Sequence, residues 1–162
     1  MKMTRTALFP GSFDPFTKGH ADIVQRGLTL FDHIIIGVGY NEHKAGFLPV
    51  EERVTSLRAL YADEPRVSVE SYSCLTTDFA AQCGAQAILR GVRTTQDYEY
   101  EQSLADVNKR LSPDVETVFL MARPELACCS SSTVRELTHF HHSIADWIPE
   151  NLHYPSLHKR NQ

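Results

Sequence analysis

A short apolar run, Thr6-Ala7-Leu8-Phe9, breaks at Pro10-Gly11-Ser12-Phe13-Asp14-Pro15, and Thr17-Lys18-Gly19-His20 then leads into an amphipathic helix. A strand, a tight Gly/Pro loop and a histidine at a helix N-terminus make a phosphate site, because backbone N–H groups and the positive end of the helix dipole point at one spot. His20 adds a directed donor there, Gly11 lets backbone approach a ligand closely, and the Ser12 hydroxyl can bond a phosphate oxygen. Asp14-Pro15 reads as turn geometry. Lys44 stands in the loop Asn41-Glu42-His43-Lys44-Ala45-Gly46, where it can swing inward. Arg90 and Arg93 close another apolar run; an arginine there is costly unless paired or facing a cleft, and its planar fork suits a phosphate. A salt bridge to a local carboxylate is the alternative for each, and two arginines at one spot weigh against it. Ser130-Ser131-Ser132 precede a further helix; they can cap it, Thr133 with Glu136 also fits a capping box, and N–H groups remain for phosphates. This set suits reaction at a nucleotide phosphate.

Positioning such groups takes an alternation of strands and helices. Residues 6–9, 34–38, 67–72, 87–89 and 117–121 read as strands. Between them, Val24, Leu28 and Phe31 share one helical face with Ile23 beside them, and Val50, Val54, Leu57 and Tyr61 share another. The second of these helices begins with Pro49 at its first position and Glu51 and Glu52 in its first turn. Strand then helix, repeated, predicts an α/β fold: a Rossmann-like, doubly wound, parallel five-stranded sheet in a single domain spanning 1–162. Strand order 3-2-1-4-5, inferred rather than read, makes the first and fourth strands neighbours at the switch point, where ligands sit beyond the strands' carboxyl ends. Tyr98 and Tyr100 read as core, and the tail at about 153–162 as frayed.

Composition narrows the classes. A chain of 162 residues, 42% hydrophobic, fits one domain that needs no disulfide or metal to fold. The formal charge of -4 argues against a general nucleic-acid binder, although a few converging cations can still hold an anion. No apolar run reaches the ~20 residues of a membrane span, and the N-terminus lacks a long apolar signal core, so a cytoplasmic protein without a membrane partner is expected. Cys74, Cys83, Cys128 and Cys129 match no common zinc spacing and read as reduced, mostly buried thiols. His139-Phe140-His141-His142 fits no standard zinc site either, and no protein-held metal is expected.

Taken together, Gly11-Ser12-Phe13-Asp14-Pro15 with Thr17-Lys18-Gly19-His20 resembles the [H/T]-x-G-H signature of the nucleotidyltransferase superfamily. Ser130-Ser131-Ser132-Thr133-Val134-Arg135 resembles its second, serine-rich motif. Arg90-Gly91-Val92-Arg93 followed by Asp97-Tyr98-Glu99-Tyr100-Glu101, and Val50-Glu51-Glu52-Arg53 after Lys44, narrow the resemblance to the bacterial phosphopantetheine adenylyltransferases, from the first strand to about Leu152.

That resemblance implies adenylyl transfer from ATP to 4′-phosphopantetheine by direct in-line attack, giving dephospho-coenzyme A and pyrophosphate, without a covalent enzyme intermediate. It assigns His20, Lys44 and Ser12 to catalysis. It places Ser12, Phe13, His20, Gly91, Arg93, Glu101, Ser130, Ser131 and Ser132 at ATP, and Ser12, Lys44, Leu75, Thr76 and Arg90 at the acceptor. Glu101 either accepts from ribose hydroxyls or holds Arg93. The resemblance further implies Mg²⁺ held chiefly by ATP phosphates and water, a homohexamer, and coenzyme A as feedback inhibitor. Competing readings are a superfamily enzyme acting on nicotinamide mononucleotide or an alcohol phosphate, and a catalytically silent sensor of ATP or coenzyme A.

Overall fold

The two central strands of the fold are apolar along nearly their whole length, because helices cover them on both faces. The structure, a computed structural model, describes residues 4–160. Its strands are β1 (Thr6–Gly11), β2 (His33–Gly39), β3 (Val67–Tyr72), β4 (Ala87–Val92) and β5 (Glu116–Met121). Its helices are α1 (Lys18–Gly27), α2 (Val50–Leu60), α3 (Thr76–Gln82), α4 (Thr95–Leu111), α5 (Ser131–His139) and α6 (Pro155–Arg160). Side chains alternate between two cores, as a two-residue strand period requires. Ala7, Phe9, Ile34, Ile36, Val38 and Leu89 pack with α1, α2 and α5; Leu8, Ile35 and Ile88 pack on the opposite face with Phe79 and Ala80 of α3.

The sheet is wholly parallel in the order β3-β2-β1-β4-β5, as inferred from the alternation. The register carries a functional consequence. β1 pairs with β2 as far as Gly11↔Val38, but with β4 only at Ala7↔Ala87 and Leu8↔Ile88. Beyond Leu8 the two switch-point strands part, and a cleft opens between Pro10-Gly11 and Arg90.

Several expectations change. β4 continues through Arg90 and Gly91 to Val92, so Arg90 lies inside the strand, since its backbone still pairs with β5 although its side chain is polar. Pro49 is the N-cap of α2 rather than its first residue. Tyr98 and Tyr100 are 41% and 64% exposed, and Glu101 is the buried residue of α4. Of the tail expected to fray, Tyr154 and Leu157 are buried, the Tyr154 hydroxyl accepts from Phe16 N–H at 3.1 Å, and Ser156 N–H donates to Glu52 at 2.7 Å. A hydroxyl with a buried partner and two apolar side chains dock this segment; positions 161 and 162 lie outside the described residues. All four cysteines are free thiols, but Cys74 and Cys128 are exposed, Cys83 is half-buried and only Cys129 is buried.

Candidate active site

A cavity of about 320 Å³ lies where β1 and β4 part, against the N-terminal ends of α1 and α5. The structure brings Ser12, Phe13, His20, Arg90, Gly91, Arg93, Glu101, Ser130, Ser131 and Ser132 to its lining.

The local sequence explains how His20 is held. Thr17 is the N-cap of α1: its hydroxyl oxygen accepts from His20 N–H at 3.4 Å, while Thr17 N–H donates to His20 Nδ1 at 3.0 Å. The Thr17 hydroxyl proton goes to the Cys129 carbonyl at 3.2 Å. A Cβ at Gly19 would meet that carbonyl at 3.0 Å, so glycine lets the end of α1 approach the segment before α5. With Nδ1 accepting, the ring proton belongs on Nε2. The ring packs against Phe13 and Phe16, with centroids 5.1 and 5.3 Å away. Burial pushes its pKa down from 6.5 to about 3, and the charges of Arg90 and Arg93 add to that shift. His20 is thus a fixed, uncharged donor.

Both arginines of β4's end have carboxylate partners, which corrects the expectation that they stand free of salt bridges. Arg90 Nε donates to Glu101 Oε2 at 2.8 Å, Nη2 pairs with Oε1 at 2.5 Å, and Nη1 donates to the Pro10 carbonyl at 2.5 Å. Arg93 Nε donates to Asp97 Oδ2 at 3.3 Å. The cause is α4: Asp97 and Glu101, four residues apart, share the helix face turned to the strand end. Glu101 therefore holds Arg90, which is neither alternative drawn from the sequence. The pairs fix the guanidinium planes, and a five-donor fork still has N–H groups left over. Arg135, one turn into α5, also lines the cavity; its Nη1 donates to the Asp14 carbonyl at 2.8 Å and its Nη2 to Ser132 Oγ at 3.1 Å. Sequence reasoning gave Arg135 no role, although it falls on the same helical face as Ser131 and Ser132.

At α5 the cap is Ser130, not Thr133: Ser130 Oγ accepts from Thr133 N–H at 3.1 Å, and the helix begins at Ser131. Ser131 donates its hydroxyl to the Pro15 carbonyl at 2.7 Å. Ser130 and Ser131 are thus engaged within the protein, Ser132 Oγ accepts from Arg135, and the groups left for an anion are the Ser132 hydroxyl proton and the backbone N–H groups of the first turn, which have no intrahelical partner.

Two recesses adjoin the cavity. One, of about 400 Å³, holds Lys44 and shares Ser12 and Arg135 with the main cavity. The other, of about 250 Å³, is lined by Thr76 and again by Ser12, Arg90 and Glu101. Ser12 borders all three spaces. Leu75 is 60% exposed at the cap of α3 and lies outside these linings. Asp14 is more than a turn former. Its carboxylate accepts from Phe47 N–H and Leu48 N–H, both at 2.7 Å, and tandem bonds of this kind leave no mark in a sequence. Among the described residues no group of three or more His, Cys, Asp or Glu could hold a metal ion.

A parallel sheet with a phosphate-type cleft at its switch point is the architecture of a nucleotide-binding α/β protein. The cytidylyltransferase-like family matches residues 8–137, from β1 into α5. A bifunctional NMN adenylyltransferase/ADP ribose pyrophosphatase from Francisella tularensis has the same fold, at TM-score 0.69 and 16% identity, over 97% of this chain and 49% of that one. The phosphopantetheine adenylyltransferase of Bacteroides fragilis is 51% identical over 148 residues, 91% of this chain and 98% of that one. That of Cytophaga hutchinsonii is 42% identical over 150 residues, 93% and 100% of the two chains. The chain belongs to the phosphopantetheine adenylyltransferase family.

Proposed function

We propose that the chain transfers the adenylyl group of ATP to 4′-phosphopantetheine, the penultimate step of coenzyme A biosynthesis. The observation that carries the reading is the convergence of an uncharged Nε2–H donor, Arg93 and the first turn of α5 on one cavity, with Ser12 bordering both that cavity and the Lys44 recess. An oxygen of the acceptor phosphate attacks the α-phosphorus of ATP in line. The bond to the bridging oxygen breaks, and that oxygen keeps the electron pair as pyrophosphate leaves. No enzyme nucleophile is needed, so rate comes from positioning and charge stabilisation.

His20 donates from Nε2 to the oxygen where negative charge grows. Arg93 and the α5 amides hold the β- and γ-phosphates. Lys44, Ser12 and Arg90 hold the acceptor phosphate, and Thr76 lies along the acceptor's path. Phe13, with its ring buried, offers only backbone to ATP, as does Gly91. Asp97 and Glu101 already face arginines, a donor set that suits Mg²⁺ carried on ATP phosphates and water rather than on protein carboxylates. When bound, the ion neutralises phosphate charge. A homohexamer, inhibition by coenzyme A and a cytoplasmic location complete the proposal. Tyr100, Leu104, Val107 and Leu111, exposed along one face of α4, support the first, and among the described residues no helix is long and apolar enough to cross a membrane.

The test is turnover with ATP, Mg²⁺ and 4′-phosphopantetheine, following pyrophosphate and the adenylylated thiol together. Equimolar appearance of both is expected. Pyrophosphate release with nicotinamide mononucleotide and none with 4′-phosphopantetheine would overturn the reading, and binding of ATP without turnover would favour a sensor.

A further inference from the structure

We infer that Asp14 is the positioning residue of the Lys44 loop: its buried carboxylate fixes the far end of residues 40–48 to the loop after β1 and so sets where Lys44 stands relative to Ser12. The inference rests on the assignment of Lys44 to the acceptor phosphate.

The loop leaves β2 under local control. Tyr40 N–H donates to the Tyr72 carbonyl at 3.0 Å, and Asn41 makes a turn in which its Oδ1 accepts from His43 N–H at 2.8 Å and its carbonyl from Lys44 N–H at 3.1 Å. Residues 43–46 are then exposed. Before them Glu42 Oε1 accepts from Ser73 Oγ at 3.1 Å, and after them the chain is captured at Phe47 and Leu48, whose N–H groups donate to Asp14 Oδ2 and Oδ1, both at 2.7 Å. These are charge-assisted bonds, roughly twice as strong as neutral ones, and Asp14 is 8% exposed. From Lys44 to Phe47 the chain spans at most about 10 Å, so movement of the latch is felt directly at Lys44.

Asp14 is itself held by two arginines. Arg53, 4% exposed, lies with Nε 3.9 Å from Asp14 Oδ1 and donates from Nη1 to the Ser12 carbonyl at 2.6 Å. That Nε is buried and makes no hydrogen bond, so Arg53 supports the carboxylate by charge while gripping the Ser12 backbone by geometry. Arg135 of α5 donates to the Asp14 carbonyl. One aspartate thus ties together the segments that bear Ser12, Lys44 and the serine-rich helix start. Gly46 belongs to the same arrangement: a Cβ there would meet Asp14 Oδ2 at 2.9 Å, the Leu48 carbonyl at 2.9 Å and Arg53 Nη2 at 3.1 Å.

The experiment is a kinetic cycle on the full chain with Asp14→Asn, Lys44→Ala and the two combined, and a parallel cycle with Gly46→Ala in place of Asp14→Asn. An amide keeps one acceptor but turns an N–H toward an N–H, whereas Gly46→Ala displaces the latch with its charge intact. Asp14→Asn is expected to lower kcat/KM for 4′-phosphopantetheine by about 10- to 100-fold, the cost of roughly 1 Å of misplacement, with the KM for ATP within about twofold. On the Lys44→Ala background the same change should cost less than about twofold, because residues acting through one group are not additive. Gly46→Ala should repeat the pattern, and it decides the matter if Asp14→Asn does not fold. Losses that multiply in the double variants, or an equal rise in the KM for ATP, would overturn the inference and leave the Lys44 assignment standing. Full acceptor kcat/KM in Lys44→Ala alone would overturn both.

Discussion

A histidine whose Nδ1 accepts a backbone N–H, whose ring packs against phenylalanines and whose neighbours are arginines takes no second proton near neutral pH. His20→Ala is expected to lower kcat by about 10²- to 10³-fold, the range for losing one preorganised donor, measured at saturating ATP and acceptor. The same side chain makes a second measurement decisive. Its pKa is near 6.5 unfolded and about 3 folded, so between those values the unfolded chain binds a proton that the native chain refuses. The neutral ring is no burden above pH 6.5, and stability falls as pH drops from 6.5 toward 3, with a slope on the order of 1 kcal/mol per pH unit. Urea titrations at pH 4.5 and 7 should show this slope flattened in His20→Ala. At this scale the sequence revealed what is local: Thr17, Gly19 and His20 lie within one helical turn, and their types alone announce a capped, anion-facing helix start. It hid what depends on facing elements. Glu101 reaches Arg90, and Asp97 reaches Arg93, only because α4 turns that face to β4, and Asp14 looks like any turn aspartate until the 47–48 amides arrive.

Helix α5 joins two tasks at its first turn, since Ser130 caps it and its free amides face the cavity. Ser130→Ala removes an acceptor for Thr133 N–H and should cost about 1 kcal/mol, a Tm decrease of roughly 2–4 °C for a chain of this size, read by thermal unfolding. A fraying first turn also spreads the amides, so the KM for ATP should rise while the KM for the acceptor holds. An unchanged Tm would mean that the Ser130 hydroxyl adds nothing to the stability of α5. Elements as such were legible: four apolar runs and the alternating run 67–72 became five strands in the inferred order, because burial on both faces leaves a continuous signal in the inner strands and exposure of one face leaves an alternating one at the β3 edge. Their ends were not. β1 and β4 run on through Pro10-Gly11 and Arg90-Gly91, residues that line the cleft while their backbones still pair in the ladder. α6 escaped for the opposite reason: six residues are too few to show a period, and what holds it is long-range, Tyr154 to Phe16 and Ser156 to Glu52.

Across the whole molecule the uneven feature is α4. Seventeen residues long, it buries Glu101 toward the site, while Tyr100, Leu104, Val107 and Leu111 stand 64%, 39%, 53% and 58% exposed. Their spacing of three and four places them on one stripe, and Met121 at the end of edge strand β5 is 60% exposed. An apolar stripe of this length is costly in water and marks an association surface. It is the surface on which the proposed homohexamer would draw. Val107 and Leu111 lie outside the cavity lining, so charges placed there test assembly without altering that lining. Val107→Asp with Leu111→Asp puts two charges on the stripe, away from Glu101. Sedimentation should then shift from a particle of six 18.3 kDa chains to smaller species, with the far-ultraviolet circular dichroism unchanged and turnover retained. A wild-type chain that already sediments at 18.3 kDa across micromolar concentrations would remove the hexamer from the proposal. It would leave the adenylyl-transfer site untouched, because His20, Arg90 and Arg93 line the cavity within one chain.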